Sequence, residues 1–179
     1  MTKLTISIFG STGSVGKTTL NIIRENKEKF DVKILTANNN INDLISLANE
    51  FNPDAICFAN ESDLDQVKKK INSDKIEYYI GEIGLLECAK ITSDIVIAGI
   101  VGLAGLPPLL ESIRNSKKVC IANKECFVSA GSLIVNEAKK HKTQILPLDS
   151  EHSAIHQILE NTNNTVKDIY LTASGGPFY

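Results

Sequence analysis

Three glycines at intervals of three, Gly10, Gly13 and Gly16, mark the first chemistry this sequence can do. They lie in Gly10-Ser11-Thr12-Gly13-Ser14-Val15-Gly16, directly after the apolar run 4–9 and before a helical pattern carrying Val15, Leu20, Ile22 and Ile23. Strand, glycine turn and helix together form the context in which free N–H groups at a helix start receive a dinucleotide pyrophosphate. Gly10 then permits the turn, Gly13 lets backbone approach the ligand, and Gly16 lets helix and strand pack closely. The rival is a P-loop, because residues 11–18 read S-x-x-x-x-G-K-T, with Ser11 where a Walker loop has glycine. An NTPase also needs an acid ending a hydrophobic strand. Only Asp149, after Pro147-Leu148, resembles one, and proline suits a central strand poorly. The dinucleotide reading is favoured; a glycine turn with no ligand is the bland alternative.

A second position bears on which dinucleotide. The next strand ends in Ala37-Asn38-Asn39-Asn40, with no carboxylate to bond a ribose 2′-OH. Without that charge a 2′-phosphate is not repelled, so NADP is favoured over NAD. An asparagine turn held by its own side chains is the alternative. Further on, Asp149-Ser150-Glu151 follows a strand and opens a helix. In an extended segment both carboxylates point the same way and offer hard oxygen ligands to Mg²⁺ or Mn²⁺. The same residues would also serve as a helix cap with acids favouring the dipole. His152 and His156 are four apart, but Ser153 stands where a zinc protease has its glutamate, so partly buried helix histidines are expected.

These residues need a scaffold, and the alternation of short β-rich runs with helical patterns supplies one. Strands are expected at 4–9, 32–36, 55–58, 76–80, 95–98, 119–122, 144–148 and 166–172. Helices are expected after the glycine loop, over 41–51, over 64–71, over 81–90, after Leu106-Pro107-Pro108, up to His141, and within 149–160. The fold class is α/β: a doubly wound, Rossmann-type, mainly parallel sheet with helices on both faces, followed by the start of a second, α+β domain. The division expected is 1–148 and 149–179, with Asn161 to Asn164 as a turn near the seam.

Composition narrows the setting. A net charge of −2 gives no basic field for nucleic acid or an acidic membrane, and Lys68-Lys69-Lys70 reads as a solvated helix end. No run reaches the roughly 20 apolar residues of a membrane span, and no signal peptide is evident. Cys57, Cys88, Cys120 and Cys126 form no CxxC pair and sit in apolar runs, as reduced thiols of a cytoplasmic protein would.

Four blocks taken together resemble the 1-deoxy-D-xylulose 5-phosphate reductoisomerase family. They are the glycine loop 10–16, Ala122-Asn123-Lys124-Glu125, Pro147-Leu148-Asp149-Ser150-Glu151-His152, and Leu171-Thr172-Ala173-Ser174-Gly175-Gly176-Pro177-Phe178. The stretch 98–106 is similar as well. The resemblance implies an enzyme of non-mevalonate isoprenoid biosynthesis. It would rearrange 1-deoxy-D-xylulose 5-phosphate and reduce the product with NADPH to 2-C-methyl-D-erythritol 4-phosphate, using Mg²⁺, Mn²⁺ or Co²⁺. By that resemblance Thr12, Gly13, Ser14 and Val15 hold cofactor phosphates. Ala37, Asn38 and Asn39 lie by the adenosine ribose, and Asn123 and Glu125 by the nicotinamide. Lys124, Ser150, Glu151 and Ser174 contact substrate, Asp149 and Glu151 hold the metal, and Lys124, Asp149 and Glu151 carry the catalysis. A homodimer is implied too. The chain departs from the family in its three asparagines at the adenosine-side turn, where a glycine and a basic residue are usual. It also stops at Tyr179, so it is expected to be the N-terminal part of a longer enzyme and inactive alone. A non-catalytic nucleotide module would have no use for the second and third blocks. A short-chain dehydrogenase would need Tyr-x-x-x-Lys, and Tyr78, Tyr79 and Tyr170 are followed at that spacing by Glu82, Ile83 and Ser174.

Overall fold

Apolar residues in 6–9 and 96–98 are buried on both faces because helices cover both sides of the sheet they enter. The computed structural model describes residues 2–160 and 165–170. It contains seven parallel strands: β1 (Leu4–Phe9), β2 (Phe30–Thr36), β3 (Ala55–Phe58), β4 (Glu77–Ile80), β5 (Ile95–Ala98), β6 (Lys118–Ile121) and β7 (Gln144–Pro147). Their order across the sheet is β4-β3-β2-β1-β5-β6-β7. The chain therefore winds outward from β1 to one edge, then returns to the other side of β1 at β5. The change of direction between β1 and β5 is a topological switch point, where doubly wound sheets open a crevice at the carboxyl ends of their strands.

Register and side-chain alternation assign the two faces. Ile8 pairs with Leu35 and Leu35 with Ile56, and all three point into one core. Their neighbours Phe9, Ile34 and Cys57 point into the other, as the two-residue strand period demands. The helices α1 (Ser14–Glu25), α2 (Ile41–Phe51) and α3 (Leu64–Lys70) cover the first face through Leu20, Leu44 and Val67. Across the sheet, α4 (Gly81–Lys90), α5 (Leu106–Asn115) and α6 (Lys124–His141) cover the second through Cys88, Ile113 and Ile134. Pro107 and Pro108 open α5, where a missing N–H costs nothing. The last helix, α7 (Ser150–Glu160), buries no residue. No helix among the described residues is long and apolar enough to cross a membrane.

The observed strands depart from the expected ones in small ways. β2 starts two residues earlier, β4 begins at Glu77, and β6 runs one residue ahead of 119–122. Pro147 is in β7, which tolerates it because β7 is an edge strand. The strand expected at 166–172 is corrected in its described part. Residues 165–170 are exposed and have no strand partner among the described residues, so apolar Val166, Ile169 and Tyr170 lack there the ladder a strand requires. Positions 171 and 172 lie outside the described residues.

The switch point is braced from below by polar contacts. Asp94, just before β5, accepts the backbone N–H and the hydroxyl of Thr5 at 2.9 Å each, and pairs with Lys117 at 2.7 Å. The Lys117 ammonium and then the two Thr5 donors hold its carboxyl down at about 2. A depressed carboxylate stabilises the fold above the ordinary aspartate range and loses that contribution as pH falls toward the folded value. Asp94→Ala should therefore cost about 1–2 kcal/mol near neutrality, allowing for partial solvent screening. The gap to the wild type should close between about pH 4 and 2, as read by urea unfolding across that range.

Candidate functional site

Because every strand is parallel, the loops after β1, β2, β5, β6 and β7 share one edge of the sheet, and the expected site residues that the structure describes lie there. A cleft of about 640 Å³ opens at this edge. Its walls include Gly10, Thr12 and Gly13 of the glycine loop, Ala37 and Asn38 after β2, and Ile100 after β5.

The glycine loop is anchored to the end of β2. The backbone N–H of Ser11 and its hydroxyl both reach the Thr36 carbonyl, at 2.8 and 2.9 Å, and the Thr36 hydroxyl accepts the Gly10 N–H at 2.9 Å. Gly10 adopts a φ of +85°, and a Cβ there would lie 2.9 Å from the Gly99 carbonyl oxygen across the switch point. Gly16 is tighter still: its Cβ would meet the Gly10 oxygen at 2.5 Å and Ser11 backbone atoms at 2.6 Å. Gly13 forms the N-cap of α1 with no side chain bonded to the helix start, which leaves N–H groups and the positive helix end facing the cleft. Ser14 is exposed beside it. Gly16 and Val15 also serve in helix–strand packing: Gly16 is buried, and Val15 packs on the core. Thr36 and Gly99 were not singled out from the sequence. Gly99 had a signal, a glycine ending an apolar strand; Thr36 had none.

After β2, Ala37 continues the sheet by donating its N–H to the Cys57 carbonyl, and Asn38 and Asn39 lie exposed at the rim. Asn40 caps α2, its Oδ1 accepting the Asp43 N–H at 3.3 Å. Lys17, the lysine of the Walker-like reading, pairs with Asp43 at 2.8 Å. That ammonium is drawn to α2 and not over the loop, which removes the main support for a P-loop.

Asn123 is held within the protein beside the cleft. Its side chain is 5% exposed, and its Nδ2 donates to the Ile100 and Gly102 carbonyls at 2.7 Å each. Its Oδ1 accepts the Cys126 N–H at 3.1 Å and so caps α6. Both donors and the acceptor are engaged by the protein, so this amide is a strut beneath the 100–105 loop; side-chain contact with a nicotinamide would require breaking it. Lys124 and Glu125 in the first turn of α6 are exposed.

The expected extended geometry of the carboxylates is corrected. α7 opens at Ser150, with Asp149 just ahead of it as the cap, so the segment is not extended and strand alternation does not make Asp149 and Glu151 converge. Asp149 accepts the His152 N–H at 3.2 Å, as a capping residue does, and touches the His152 Nδ1 at 2.7 Å. Its carboxyl is held below the usual range, first by the His152 N–H, then by the His152 ring, with the Lys124 charge adding to the effect. Lys124 Nζ stands 3.7 Å from Asp149 Oδ2, so the ends of β6 and β7 do bring these two expected residues together. Glu151 and Ser150 are exposed alongside. His152 is exposed, contrary to the partly buried position expected; His156 is partly buried and faces Glu160 at 3.6 Å. Among the described residues no three His, Cys, Asp or Glu side chains are placed to hold a metal. The Asp149 carboxylate, paired here with Lys124 and His152, and the exposed Glu151 carboxylate are the hard oxygen donors this segment offers a divalent ion, which would displace the ammonium and complete its shell elsewhere. Ser174 lies outside the described residues.

Comparison with known proteins agrees with this layout. The family model for 1-deoxy-D-xylulose 5-phosphate reductoisomerase matches residues 6–131, and that for the C-terminal domain of the same enzyme matches 145–179. The reductoisomerase of Lachnoclostridium phytofermentans is 43% identical over 97% of this chain, and that of Bacteroides fragilis 42% over 98%. The chain spans 45% and 46% of their respective lengths. Among solved structures, the Zymomonas mobilis reductoisomerase in complex with NADPH superposes with a TM-score of 0.83 at 38% identity, covering 87% of this chain and 41% of its own. A reductoisomerase in complex with NADPH, fosmidomycin and magnesium gives 0.80 at 39% identity, over 86% and 38%.

Proposed function

Since the chain belongs to the 1-deoxy-D-xylulose 5-phosphate reductoisomerase family, we propose that it forms the NADPH-binding part, and the beginning of the metal and substrate site, of an enzyme converting 1-deoxy-D-xylulose 5-phosphate to 2-C-methyl-D-erythritol 4-phosphate. The observation that carries this reading is the placement of two units on one sheet edge. One is the uncapped glycine-loop helix start beside a large cleft; the other is the Lys124–Asp149 pair two and three strands away from it. A nucleotide-sensing module would need only the first.

In this reading Thr12, Gly13 and Ser14 offer backbone donors to the pyrophosphate at the positive end of α1, while Gly10 and Gly16 keep side chains out of its way. Ala37, Asn38 and Asn39 border the adenosine ribose. Gly99, Ile100 held by the Asn123 amide, and Glu125 border the nicotinamide side. Asp149 and Glu151 would be the oxygen ligands for Mg²⁺ or Mn²⁺, which would supply Lewis-acid stabilisation of charge on the sugar oxygens. Lys124 holds positive charge where substrate oxygens develop negative charge, and Ser150, Glu151 and Ser174 complete the polar surround. The seam between the two units is placed after residue 148, next to the point where the sheet ends. A cytoplasmic homodimer acting on a small sugar phosphate, with no nucleic-acid or membrane partner, completes the proposal.

Ligand-dependent melting tests it. Binding only the folded state raises the midpoint, and NADPH at about ten times its Kd should raise the Tm of the 179-residue chain by about 3–6 °C. ATP should leave it unmoved. A shift with ATP and none with NADPH would overturn the reading in favour of an NTPase.

A further inference from the structure

A dinucleotide with a 2′-phosphate brings a dianion to the turn after β2, and Ala37-Asn38-Asn39-Asn40 has no cation of its own. The structure brings one there from another element. Lys17, one turn into α1, extends to α2 and places its Nζ 2.8 Å from Asp43 Oδ2. The same oxygen receives Nδ2 of Asn40, the last residue of the turn, at 2.9 Å. Ammonium, carboxylate and amide thus form a polar cluster at the rim bordered by Asn38 and Asn39.

We propose that Lys17 is the specificity residue that reads the cofactor's 2′-phosphate, with Asp43 and Asn40 holding its ammonium beside the turn until the phosphate arrives. The assignment rests on the dinucleotide reading above. Three features of the cluster support it. The pair is half-exposed on both sides, so the ion pair is weak and the ammonium is easily redirected. A phosphate dianion offers more charge and more acceptor oxygens than one carboxylate, and lysine meets phosphate as a point charge on a flexible stem. Asp43 opposes a second anion at the turn, so the same cluster lowers affinity when Lys17 is absent. Asn39 and Asn38 remain as neutral donors on the other side.

The test is isothermal titration of the 179-residue chain with NADPH and with NADH, for the wild type and three variants. The wild type should prefer NADPH by at least about tenfold. Lys17→Gln should weaken NADPH by about tenfold while changing NADH by less than about twofold, and Lys17→Arg should keep the preference. Asp43→Asn should widen it. Lys17 is on the surface, so unchanged melting of the unliganded variants confirms that the fold is intact. A wild type that binds neither dinucleotide overturns the cofactor reading itself. A wild type that prefers NADPH, with Lys17→Gln equally selective, overturns only the assignment of Lys17. An unchanged or narrowed preference in Asp43→Asn overturns the claim that the Asp43 carboxylate opposes the incoming phosphate.

Discussion

Gly16→Ala should destabilise the fold by about 3 kcal/mol or more and abolish measurable NADPH binding. A methyl at this position would sit 2.5 Å from the Gly10 oxygen and 2.6 Å from the Ser11 Cα and oxygen. All three are backbone atoms, so no rotamer change relieves the overlap. Relief requires α1 to move off β1, which opens the core around Leu20 and Ile23. Overpacking commonly costs about 1–3 kcal/mol where side chains can shift, and here they cannot. Gly13→Ala supplies the contrast. Its Cβ would rest 3.4 Å from the Gly10 oxygen, at a φ of −79° that any residue adopts. Glycine is the better N-cap of the two, so stability should fall by about 1 kcal/mol, well short of the Gly16 effect. The new methyl nevertheless stands at the mouth of the cleft, and NADPH should bind about tenfold more weakly. Urea unfolding and NADPH titration of the two variants separate the roles. Equal stability loss in both would show that the spacing of the loop, and not the individual contact, sets the cost.

The glycine loop was legible in the sequence because its function is a property of backbone: where no Cβ fits, only glycine stands, and the spacing shows. The same holds for the run of buried strands, whose continuous apolar character follows from helices on both faces. What failed at 166–170 was the assumption that β-rich composition suffices. Val166, Ile169 and Tyr170 have the right residue types, but a strand exists only with a partner, and they have none among the described residues.

Polar residues were legible in place and not in direction. Asp149 was read both as a helix cap and as a metal ligand, and local sequence cannot separate them, because a carboxylate before a helix suits both. The structure shows the capping hydrogen bond and brings Lys124 to the same carboxylate, a contact between residues 25 apart in sequence that no local pattern reveals. Lys17 carried a motif resemblance that pointed it at phosphate over the glycine loop. Its actual neighbour, Asp43, depends on how α1 and α2 lie side by side on the sheet. Thr36 is the clearest omission: a threonine ending a strand carries no mark, yet its hydroxyl and carbonyl hold both Gly10 and Ser11.

Asn123 is where the two levels of reading diverge most, and it yields the second large effect. Asn123→Ala removes the cap on α6, worth about 1 kcal/mol. It also takes its donor from the Ile100 carbonyl and one of three from the Gly102 carbonyl, which keeps the Gly105 N–H at 3.2 Å and the Cys126 thiol at 3.8 Å, together about 1–2 kcal/mol. The expected total is about 2–3 kcal/mol, accompanied by loss of NADPH affinity because Ile100 and Val101 line the cleft. Gly102 stands at a φ of +69°, with no atom beyond its chain neighbours within 4 Å of where its Cβ would be. Asn123→Asp tells a strut from a ligand. The carboxylate can still cap Cys126, but it faces two carbonyl oxygens with no proton to offer. Burial and those oxygens raise its folded pKa above the unfolded value of about 4. Such a group contributes fully below the unfolded value and loses its contribution as pH rises through the folded one. The aspartate variant should therefore approach wild-type stability near pH 4 and fall to or below the alanine variant by pH 7, as read by melting across that interval. If instead it matches the wild type in stability at pH 7 while losing NADPH affinity, Asn123 acts on the cofactor directly and the strut is not its role.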